Sequence, residues 1–471
     1  MKPDLNCAGP EPELGLPLGR RRVSVAAVLA AMSLVVLDAG MVNIALPTMS
    51  RALHATPGDI LLVITAYQTA LIIALLPSAA LGERLGNRRV FAGGVALFTA
   101  ASVLCAISPS LPWLVAARFV QGLGGAAVMA LGIALLRMAV SGKQLGAAIG
   151  WNALTVALAS AASPALGAAI LWGTNWHWLY LVNVPLGLAV LFASRSLPTT
   201  APSIQRIDVT SIALNGASFA LLLVGAQLML AKPYAATLLI VTGLLTLWAL
   251  VRRERPKTAP MIPLDLLADR SFRMAVIASV CCFTGQTAGM LALPFYLQHS
   301  LGQTPFMTGL YMTPWPLSVA ATVVVTGRLS ERFPSAWLCV IGAGALSLGM
   351  GAAALWPLTS SPHPLIACTI LCGLGFGLFQ VSNNRYMFLS ASKARSAAAG
   401  GVQSTARLIG QTAGALLITL VLTTTSIGAA TRIGLGLGAM LTLVAGLVSV
   451  MRSKVAEDQR APVYRTGGVR K

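Results

Sequence analysis

The sequence predicts an all-α polytopic membrane protein with 14 transmembrane helices, arranged as two six-helix bundles with two inserted helices. Three observations predict this class: the composition, the long apolar runs and a charged segment that occurs twice. Hydrophobic residues make up 56% of the chain, and charged residues only 10%. Apolar runs of about 18 residues or more need a bilayer, in which only helices or closed barrels satisfy their own backbone. These runs are too continuous for the alternating strands of a barrel.

The fourteen apolar runs each come close to the roughly 20 residues that a spanning helix needs. Short polar or charged loops separate them. We place the spans at about 23–46, 60–81, 90–108, 112–136, 144–171, 176–194, 209–230, 234–251, 274–297, 306–327, 335–357, 363–389, 396–425 and 429–451.

Basic residues are concentrated in every second loop. A net charge of +20 would suggest nucleic-acid binding in a soluble protein, but the positive-inside rule explains it here. The other side holds little beyond Arg51, Lys232 and Arg432. We therefore predict a plasma (bacterial inner) membrane protein with both termini in the cytoplasm. The basic side holds Arg20 to Arg22, Arg84, Arg88, Arg89, Arg137, Lys143, Arg195, Arg206, Arg252, Arg253, Arg255, Lys257, Arg328, Arg332, Lys393, Arg395, Arg452 and Lys454.

The charged segment 81–89 returns in degraded form at 329–334. Both copies read Leu-x-Glu-Arg, and Glu331 follows Glu83 by 248 residues. The same offset maps spans one to six onto spans nine to fourteen and leaves spans seven and eight as an insert. Parallel repeats of this kind form two bundles around a central cavity, with alternating access by rocking.

The domain boundaries follow from the spans and their duplication. We predict cytoplasmic tails at 1–22 and 452–471, an N-terminal six-helix bundle at 23–195, two inserted helices at 207–251, a cytoplasmic linker at 252–273 and a C-terminal six-helix bundle at 274–451.

Asp38 is the only acidic residue deep inside a predicted span. An intramembrane acid is a functional candidate by default, although a structural hydrogen bond or a helix-end position would also explain it. Arg118 is its natural partner, because both residues fall at nearly the same depth when counted at 1.5 Å per residue from opposite faces. Burial disfavours the charged carboxylate and a neighbouring guanidinium favours it, and a proton-coupling site needs such opposed effects.

Polar residues within or near other spans are candidates for a substrate cavity. Arg407 lies near the middle of span thirteen, where it would face the cavity, bind an anionic substrate group, cap an unwound carbonyl or link two helices. We take as candidate cavity residues Asn43, Tyr67, Asn152, Gln286, Gln380, Asn383 and Arg407.

The repeated turn is a candidate cytoplasmic gate that latches the two halves, and a simple positive-inside anchor is the alternative. Gly86 permits the tight turn. The gate residues would be Glu83, Arg84, Gly86, Arg88, Arg89, Glu331 and Arg332. In span five, Ser163, Pro164 and Gly167 predict a bend.

The sequence contains no catalytic constellation, no nucleotide-binding Gly-x-x-x-x-Gly-Lys-Ser/Thr loop and no cluster with metal-ligand spacing. Most of the seven cysteines fall inside apolar runs, where a thiol behaves as a small hydrophobe. We therefore expect neither an enzyme nor a bound metal or cofactor.

At several of these residues the chain resembles the major facilitator superfamily, specifically its 14-helix drug:proton antiporter branch. The segment 37–47, Leu-Asp-Ala-Gly-Met-Val-Asn-Ile-Ala-Leu-Pro, is similar to that branch's first-helix motif, with Gly40 in place of the usual Thr. The loop 81–89 resembles the superfamily's Gly-x-Leu-Ala-Asp-Arg-x-Gly-Arg-Arg signature. The segment 118–122 resembles its Arg-x-x-Gln-Gly motif, whose arginine the superfamily associates with proton coupling, and we take Asp38, Arg118 and Gln121 as the proton-coupling candidates. Asn183-Val184-Pro185 resembles the start of the sixth helix.

The antiporter motif of the fifth helix, Gly-x-x-x-Gly-Pro-x-x-Gly-Gly, is only partly present. Ala159, Ser163 and Ala168 stand where the motif has glycines, while Pro164 and Gly167 match it. The residues at these positions are still small, as close helix packing requires.

The resemblance implies a proton-coupled antiporter that exports small amphipathic or cationic organic compounds by alternating access. Its partners would be substrate, protons and the bilayer, without nucleic acid, and a monomer would suffice. A narrow-specificity exporter or an importer of one metabolite is the alternative, and Arg407 would suit an anionic substrate. A non-transporting membrane receptor is a third reading.

Overall fold

The computed structural model describes residues 17–199, 208–229, 232–256, 264–356, 363–390 and 396–460. Over these residues the chain is almost entirely helical and contains no β-strand. Thirteen helices in this part of the chain are long and apolar enough to cross a membrane. Most of the two predicted tails, 1–16 and 461–471, lies outside the described residues.

The first eight helices form the N-terminal bundle. Helices α3 and α4 pack against α5, while α1 packs mainly against α6 and also contacts α5 and α8. Their bounds are α1 Leu18–Ala52, α2 Pro57–Ile60, α3 Leu62–Leu85, α4 Asn87–Ala106, α5 Leu111–Ala139, α6 Gly142–Gly173, α7 Trp178–Leu181 and α8 Asn183–Ala193.

The two inserted helices, α9 Val209–Leu228 and α10 Pro233–Glu254, pack against each other, and α9 also packs against α3. Polar side chains connect the start of α9 to the end of α10. Asp208 caps α9 by accepting from the Ser211 backbone N–H, and Arg253 pairs with the same carboxylate at 3.2 Å. The Ser211 hydroxyl also donates to the buried Glu254 carboxylate over 2.7 Å.

The remaining helices form the C-terminal bundle. Helix α12 packs against α17 and α18, α15 against α16 and α18, and α14 against α16. Their bounds are α11 Leu264–Ala268, α12 Arg270–Phe295, α13 Pro305–Met312, α14 Pro314–Arg332, α15 Ser335–Leu355, α16 Pro364–Ser390, α17 Ser396–Thr424 and α18 Ile427–Arg460.

The tenth predicted span, 306–327, is divided between α13 and α14. The two helices meet at Thr313, immediately before Pro314, and Pro316 follows two residues later. Proline has no backbone N–H to donate and its ring clashes with the preceding turn, so the helix is interrupted there. This span is not among the thirteen long apolar helices, and the number fourteen stays a prediction.

Helix α18 continues to Arg460, past the predicted end of the last span at 451. The charge pattern placed Arg452 in a cytoplasmic tail, but its side chain is buried at 1% exposure. Its Nη1 donates to Asn383 Oδ1 over 2.7 Å, and its guanidinium lies 4.2 Å from the centre of the Tyr386 ring. A positive-inside pattern counts arginines near span ends and does not separate loop residues from buried ones.

The two bundles meet through an apolar layer at the ends opposite the basic loops. One continuous core cluster there joins Leu46 and Leu61 of the N-terminal bundle to Leu293, Phe295 and Ile418 of the C-terminal bundle. Across the same boundary α3 packs against α17, and α6 against α13 and α14. We call this layer the apolar seal.

One glutamine adds polar contacts across the apolar seal. Arg51 Nη2 donates to Gln298 Oε1 over 3.3 Å, and Gln298 Nε2 donates to the Ile44 carbonyl over 3.3 Å. Gln298 lies in a π-helical turn, Tyr296–Ser300, which follows α12. Both side-chain ends of this one residue therefore contact the opposite bundle.

Candidate functional site

Asp38 on α1 and Arg118 on α5 form an ion pair in the interior of the N-terminal bundle. Arg118 Nη1 donates to Asp38 Oδ2 over 2.5 Å. Exposure is 0% for Asp38 and 1% for Arg118. The structure therefore brings together the two charged residues that counting along the sequence placed at nearly the same depth in the membrane.

Gln121 connects both members of the ion pair. Its Oε1 accepts from Arg118 Nη1 over 2.6 Å, and its Nε2 donates to Asp38 Oδ1 over 3.1 Å. The same Nε2 also donates to the hydroxyl of Ser102 on α4 over 2.8 Å. Because Arg118 and Gln121 are three residues apart on α5, they lie on the same helix face and reach Asp38 together.

Asn183 at the start of α8 is a member of this site that the sequence did not identify. Its Nδ2 donates to Asp38 Oδ1 over 2.7 Å, and the side chain is fully buried. The residue lies well inside the sixth predicted span, 176–194. Its only signal was its place in a segment that resembles the start of the superfamily's sixth helix.

Two tyrosines enclose the guanidinium. The Arg118 guanidinium carbon lies 4.2 Å from the centre of the Tyr67 ring and 5.7 Å from that of Tyr180. Tyr67, which the sequence placed in the cavity, therefore lies against the ion pair and is 3% exposed. Such cation–π contacts contribute about 0.5–2 kcal/mol, with the upper value where water is excluded.

The ion pair stabilises the bundle only while both charged side chains are present. Removing one partner of a buried ion pair costs about 3–5 kcal/mol, because the other charge is left without compensation. Here Asp38 accepts from three side chains, and Arg118 has a carboxylate, an amide oxygen and an aromatic face. Adding a proton to Asp38 would change all of these contacts at once.

The segment of α6 that the sequence predicted to bend lies close to two other helices, and the bend itself stays a prediction. Helix α6 is continuous through Pro164. A Cβ added to Gly167 would lie 3.1 Å from the Met41 Cα, and Gly40 faces the Ser163 side chain. In the same segment, the Pro164 carbonyl packs against Gly309 of α13. This segment therefore holds α6 close to both α1 and the opposite bundle.

The other candidate cavity residues are dispersed. Asn383 is 1% exposed and donates to the Ala275 carbonyl over 3.0 Å, so it belongs to the Arg452 cluster. Gln286 contacts Met290 and Thr287 on its own helix. Two further candidates have a buried polar atom without a hydrogen-bond partner in the described part of the chain, namely Asn152 Oδ1 and Arg407 Nε. Asn43 and Gln380 are half-buried.

The candidate gate lies at the basic end of the N-terminal bundle. Gly86 separates α3 from α4 with a φ of 96°, a value that favours glycine. Glu83, Arg84 and Arg89 are exposed and Arg88 is half-buried. In the other copy Arg332 is exposed, whereas the Glu331 side chain lies outside the described residues. Among the side chains that are described, no ion pair joins the two copies of the turn.

A family model described as Major Facilitator Superfamily matches residues 28–415. The chain belongs to the major facilitator superfamily. The match spans both bundles and includes Asp38, Arg118 and the segment around Arg407. Membership of this superfamily, whose curated members among the relatives of this chain are transporters, and the thirteen long apolar helices of the described residues make the chain an integral membrane transporter and not an enzyme.

Curated relatives in this superfamily cover most of the chain. It is 39% identical over 447 residues to the uncharacterized transporter YebQ of Escherichia coli K12, covering 93% of this chain and 97% of that protein. It is 30% identical over 397 residues to the multidrug resistance protein Stp of Mycobacterium tuberculosis, covering 81% of this chain and 72% of that protein. It is 28% identical over 374 residues to the riboflavin transporter RibZ of Clostridioides difficile 630, covering 79% of this chain and 81% of that protein.

Solved structures support the same fold. The crystal structure of the POT family transporter PepTSo aligns with a TM-score of 0.70 over 93% of this chain and 98% of that one, at 14% sequence identity. At that identity the likeness concerns the fold alone. The superfamily member described here therefore shares the helix arrangement of known transporters.

Proposed function

We propose that this superfamily member is a proton-coupled antiporter that exports small amphipathic or cationic organic compounds by alternating access. The observation that carries the proposal is Asp38, a fully buried carboxylate held by Arg118, Gln121 and Asn183. Acids inside membrane proteins are rare and mark ion pathways and proton relays. The relative Stp is named a multidrug resistance protein, which favours export of foreign compounds.

The proposed coupling step is the transfer of one proton to an Asp38 carboxylate oxygen. The protonated acid is neutral, so it no longer attracts Arg118 as an ion partner. Arg118 then keeps Gln121 Oε1, the Val63 carbonyl and the rings of Tyr67 and Tyr180 as its partners. Because the pair links α1 to α5, its rearrangement changes how these helices pack, and a packed interface switches between discrete arrangements.

The arrangement of the bundles supports alternating access. The bundles are joined through the apolar seal, while the charged turn around Glu83 lies exposed at the opposite end. We place that basic end in the cytoplasm, following the positive-inside rule. On this reading the structure represents a state closed to the outside. The branch assignment, the cytoplasmic termini and the latch role of the charged turn belong to the same proposal.

A second candidate function is transport of a single metabolite that carries hydrogen-bond acceptors. Arg407 supports it, because the guanidinium Nε of this residue is buried without a hydrogen-bond partner in the described part of the chain. A buried unpaired donor is costly, and a substrate acceptor would satisfy it. The relative RibZ is named a riboflavin transporter, which is a function of that narrower kind.

The deciding experiment measures substrate-linked proton flux in vesicles that contain the purified protein. A panel of cationic and neutral amphipathic compounds, with riboflavin included, is tested under an imposed pH gradient. We expect proton movement opposite to that of at least one cationic compound, and its loss in Asp38→Asn. Asp269→Asn is the matched control, because Asp269 caps α12 at an exposed position and asparagine also caps helices.

Antiport that persists in Asp38→Asn would remove this carboxylate from the mechanism. Flux of riboflavin alone, lost in Arg407→Gln, would favour the second candidate. Absence of flux for every compound, with the protein folded, would contradict both.

A further inference from the structure

A cleft with three arginines opens at the basic end of the N-terminal bundle, between α4 and α8. Its volume is about 810 Å³, within the range of small-molecule sites. One wall is the first turns of α4, and the other is the last turns of α8 with the segment that follows. We call it the arginine cleft. It is lined by Arg88, Arg89, Ala92, Leu188, Leu191, Phe192, Ser194, Arg195 and Thr199.

The polar half of the arginine cleft carries uncompensated positive charge. No carboxylate lines it, and Arg88, Arg89 and Arg195 have no hydrogen-bond or ion partner among the residues that the structure describes. The N-terminus of α4 adds to this charge, because Gly86 has no capping side chain and the first turn holds no acid. Two arginines in the first turn are also repelled by the positive end of the helix dipole. An anion in the cleft would offset both the charge of the arginines and the dipole of α4.

The other half of the arginine cleft is apolar and exposed. Phe192 is 70% exposed and Leu188 is 56% exposed, and both project from a helix that is apolar enough to span the membrane. The Arg195 guanidinium lies 5.1 Å from the centre of the Phe192 ring, at the junction of the two halves. The positive-inside rule accounts for arginines at this depth. It does not account for three of them around one cavity with an apolar wall.

We propose that the arginine cleft binds an anionic phospholipid, with its phosphate-bearing headgroup among Arg88, Arg89 and Arg195 and an acyl chain along Leu188 and Phe192. Arginine forms bidentate hydrogen bonds with phosphate, and basic pockets between membrane helices bind anionic headgroups. A free phosphate or a soluble anion would use the arginines but not the apolar wall. An amphiphile with a charged head uses both.

Occupancy would strengthen the packing of α4 on α8. The two helices already approach closely, because Gly187 of α8 packs against the side chain of Thr99 on α4. Helix α4 also packs against α5 and supplies Ser102 to the Asp38 site. A lipid that bridges the two helices stabilises the folded N-terminal bundle through linkage, since it binds the folded state only.

The test measures lipid binding by the purified full-length protein in detergent, by native mass spectrometry and by thermal unfolding. The probes are short-chain phosphatidylglycerol, short-chain phosphatidylcholine and inorganic phosphate. We expect phosphatidylglycerol to bind and raise Tm, and the two other probes to have little effect. In Arg88→Gln/Arg89→Gln/Arg195→Gln we expect binding to weaken by roughly a hundredfold, because each basic residue near an anionic headgroup contributes about a factor of five.

The matched control is Arg137→Gln/Arg252→Gln/Arg255→Gln. It removes the same charge from exposed arginines at the same end of the protein, outside the cleft. Equal loss of binding in both triple variants would overturn the proposal in favour of a diffuse surface charge. Equal stabilisation by inorganic phosphate, or by phosphatidylcholine, would overturn it too. If the cleft triple variant fails to fold, the single variants Arg195→Gln and Phe192→Ala, both at exposed positions, are tested instead. Each must weaken lipid binding, and unchanged binding in either one overturns the proposal.

Discussion

The Ser163 side chain occupies the space that a Cβ on Gly40 would need. A Cβ built on Gly40 would overlap both the Ser163 hydroxyl and its Cβ. The motifs that this chain resembles have a threonine at position 40 and a glycine at position 163, whereas this chain has the small residue on α1 and the side chain on α6. The two departures therefore compensate, and they preserve the close contact of α1 and α6 beside Asp38.

This exchange predicts strong coupling between the two positions. Gly40→Thr alone should lower thermal stability and transport, since overpacking a tight contact costs about 1–3 kcal/mol. Ser163→Gly alone should have a smaller effect, and the double variant should recover most of the loss. Thermal unfolding of the four proteins gives three Tm shifts, and the difference between the double-variant shift and the sum of the two single shifts reports the coupling. Additive effects of the two substitutions would show that the helices separate to accommodate threonine.

The hydrogen bond from Asn183 to Asp38 predicts a specific loss in Asn183→Leu. The variant keeps side-chain volume but removes a donor to a buried carboxylate, and hydrogen bonds to charged groups contribute about 1.5–3 kcal/mol. We expect a lower Tm together with impaired proton-linked flux. Asn215→Leu is the matched control, because Asn215 is equally buried on α9 and its Nδ2 has no partner in the described structure. Similar behaviour of the two variants would argue against a special role for Asn183.

The sequence predicted the helical membrane fold well because its signals are local and strong. Apolar length identified the spans, and an intramembrane acid and arginine at matching depth identified Asp38 and Arg118. The break at Thr313 was missed because an apolar run reads as continuous whether or not prolines interrupt it.

Residues whose roles depend on three-dimensional packing were harder to identify. Asn183 reaches Asp38 from the start of another helix, and no periodicity or charge pattern encodes that approach. Asn383 was predicted to line a cavity, but it contacts Arg452, 69 residues away in the sequence. An isolated polar residue in a span shows that a partner is needed without indicating which one.

The contacts of Gln298 predict that Gln298→Ala weakens the apolar seal. The substitution removes a hydrogen bond from Arg51 and one to the Ile44 carbonyl, which together link the two bundles. We expect a larger fraction of molecules in which the two bundles have separated at the apolar seal. Spin labels at Ala52 and Thr425 would report this as longer distances between them. Gln303→Ala is the control, because the Gln303 amide contacts only the neighbouring Leu301 carbonyl among the described residues. Unchanged distances in Gln298→Ala would mean that apolar contacts alone hold the seal.

The approach of α2 to α17 predicts a reversible cross-link between the bundles. A Cβ built on Gly58 lies 3.5 Å from the Thr423 Cβ, which fits the Cβ–Cβ separation of about 3.5–4.5 Å in disulfides. We expect Gly58→Cys/Thr423→Cys to form a disulfide under mild oxidation and to lose transport, because the two ends can no longer part.

Reduction should restore transport in the double variant, and the two single-cysteine variants should be insensitive to oxidant. The six described native cysteines are free, and four of them are buried, which limits competing disulfides. A disulfide that forms in full and leaves transport unchanged would contradict alternating access through this seal. In that case substrate would cross the membrane without separation of α2 from α17.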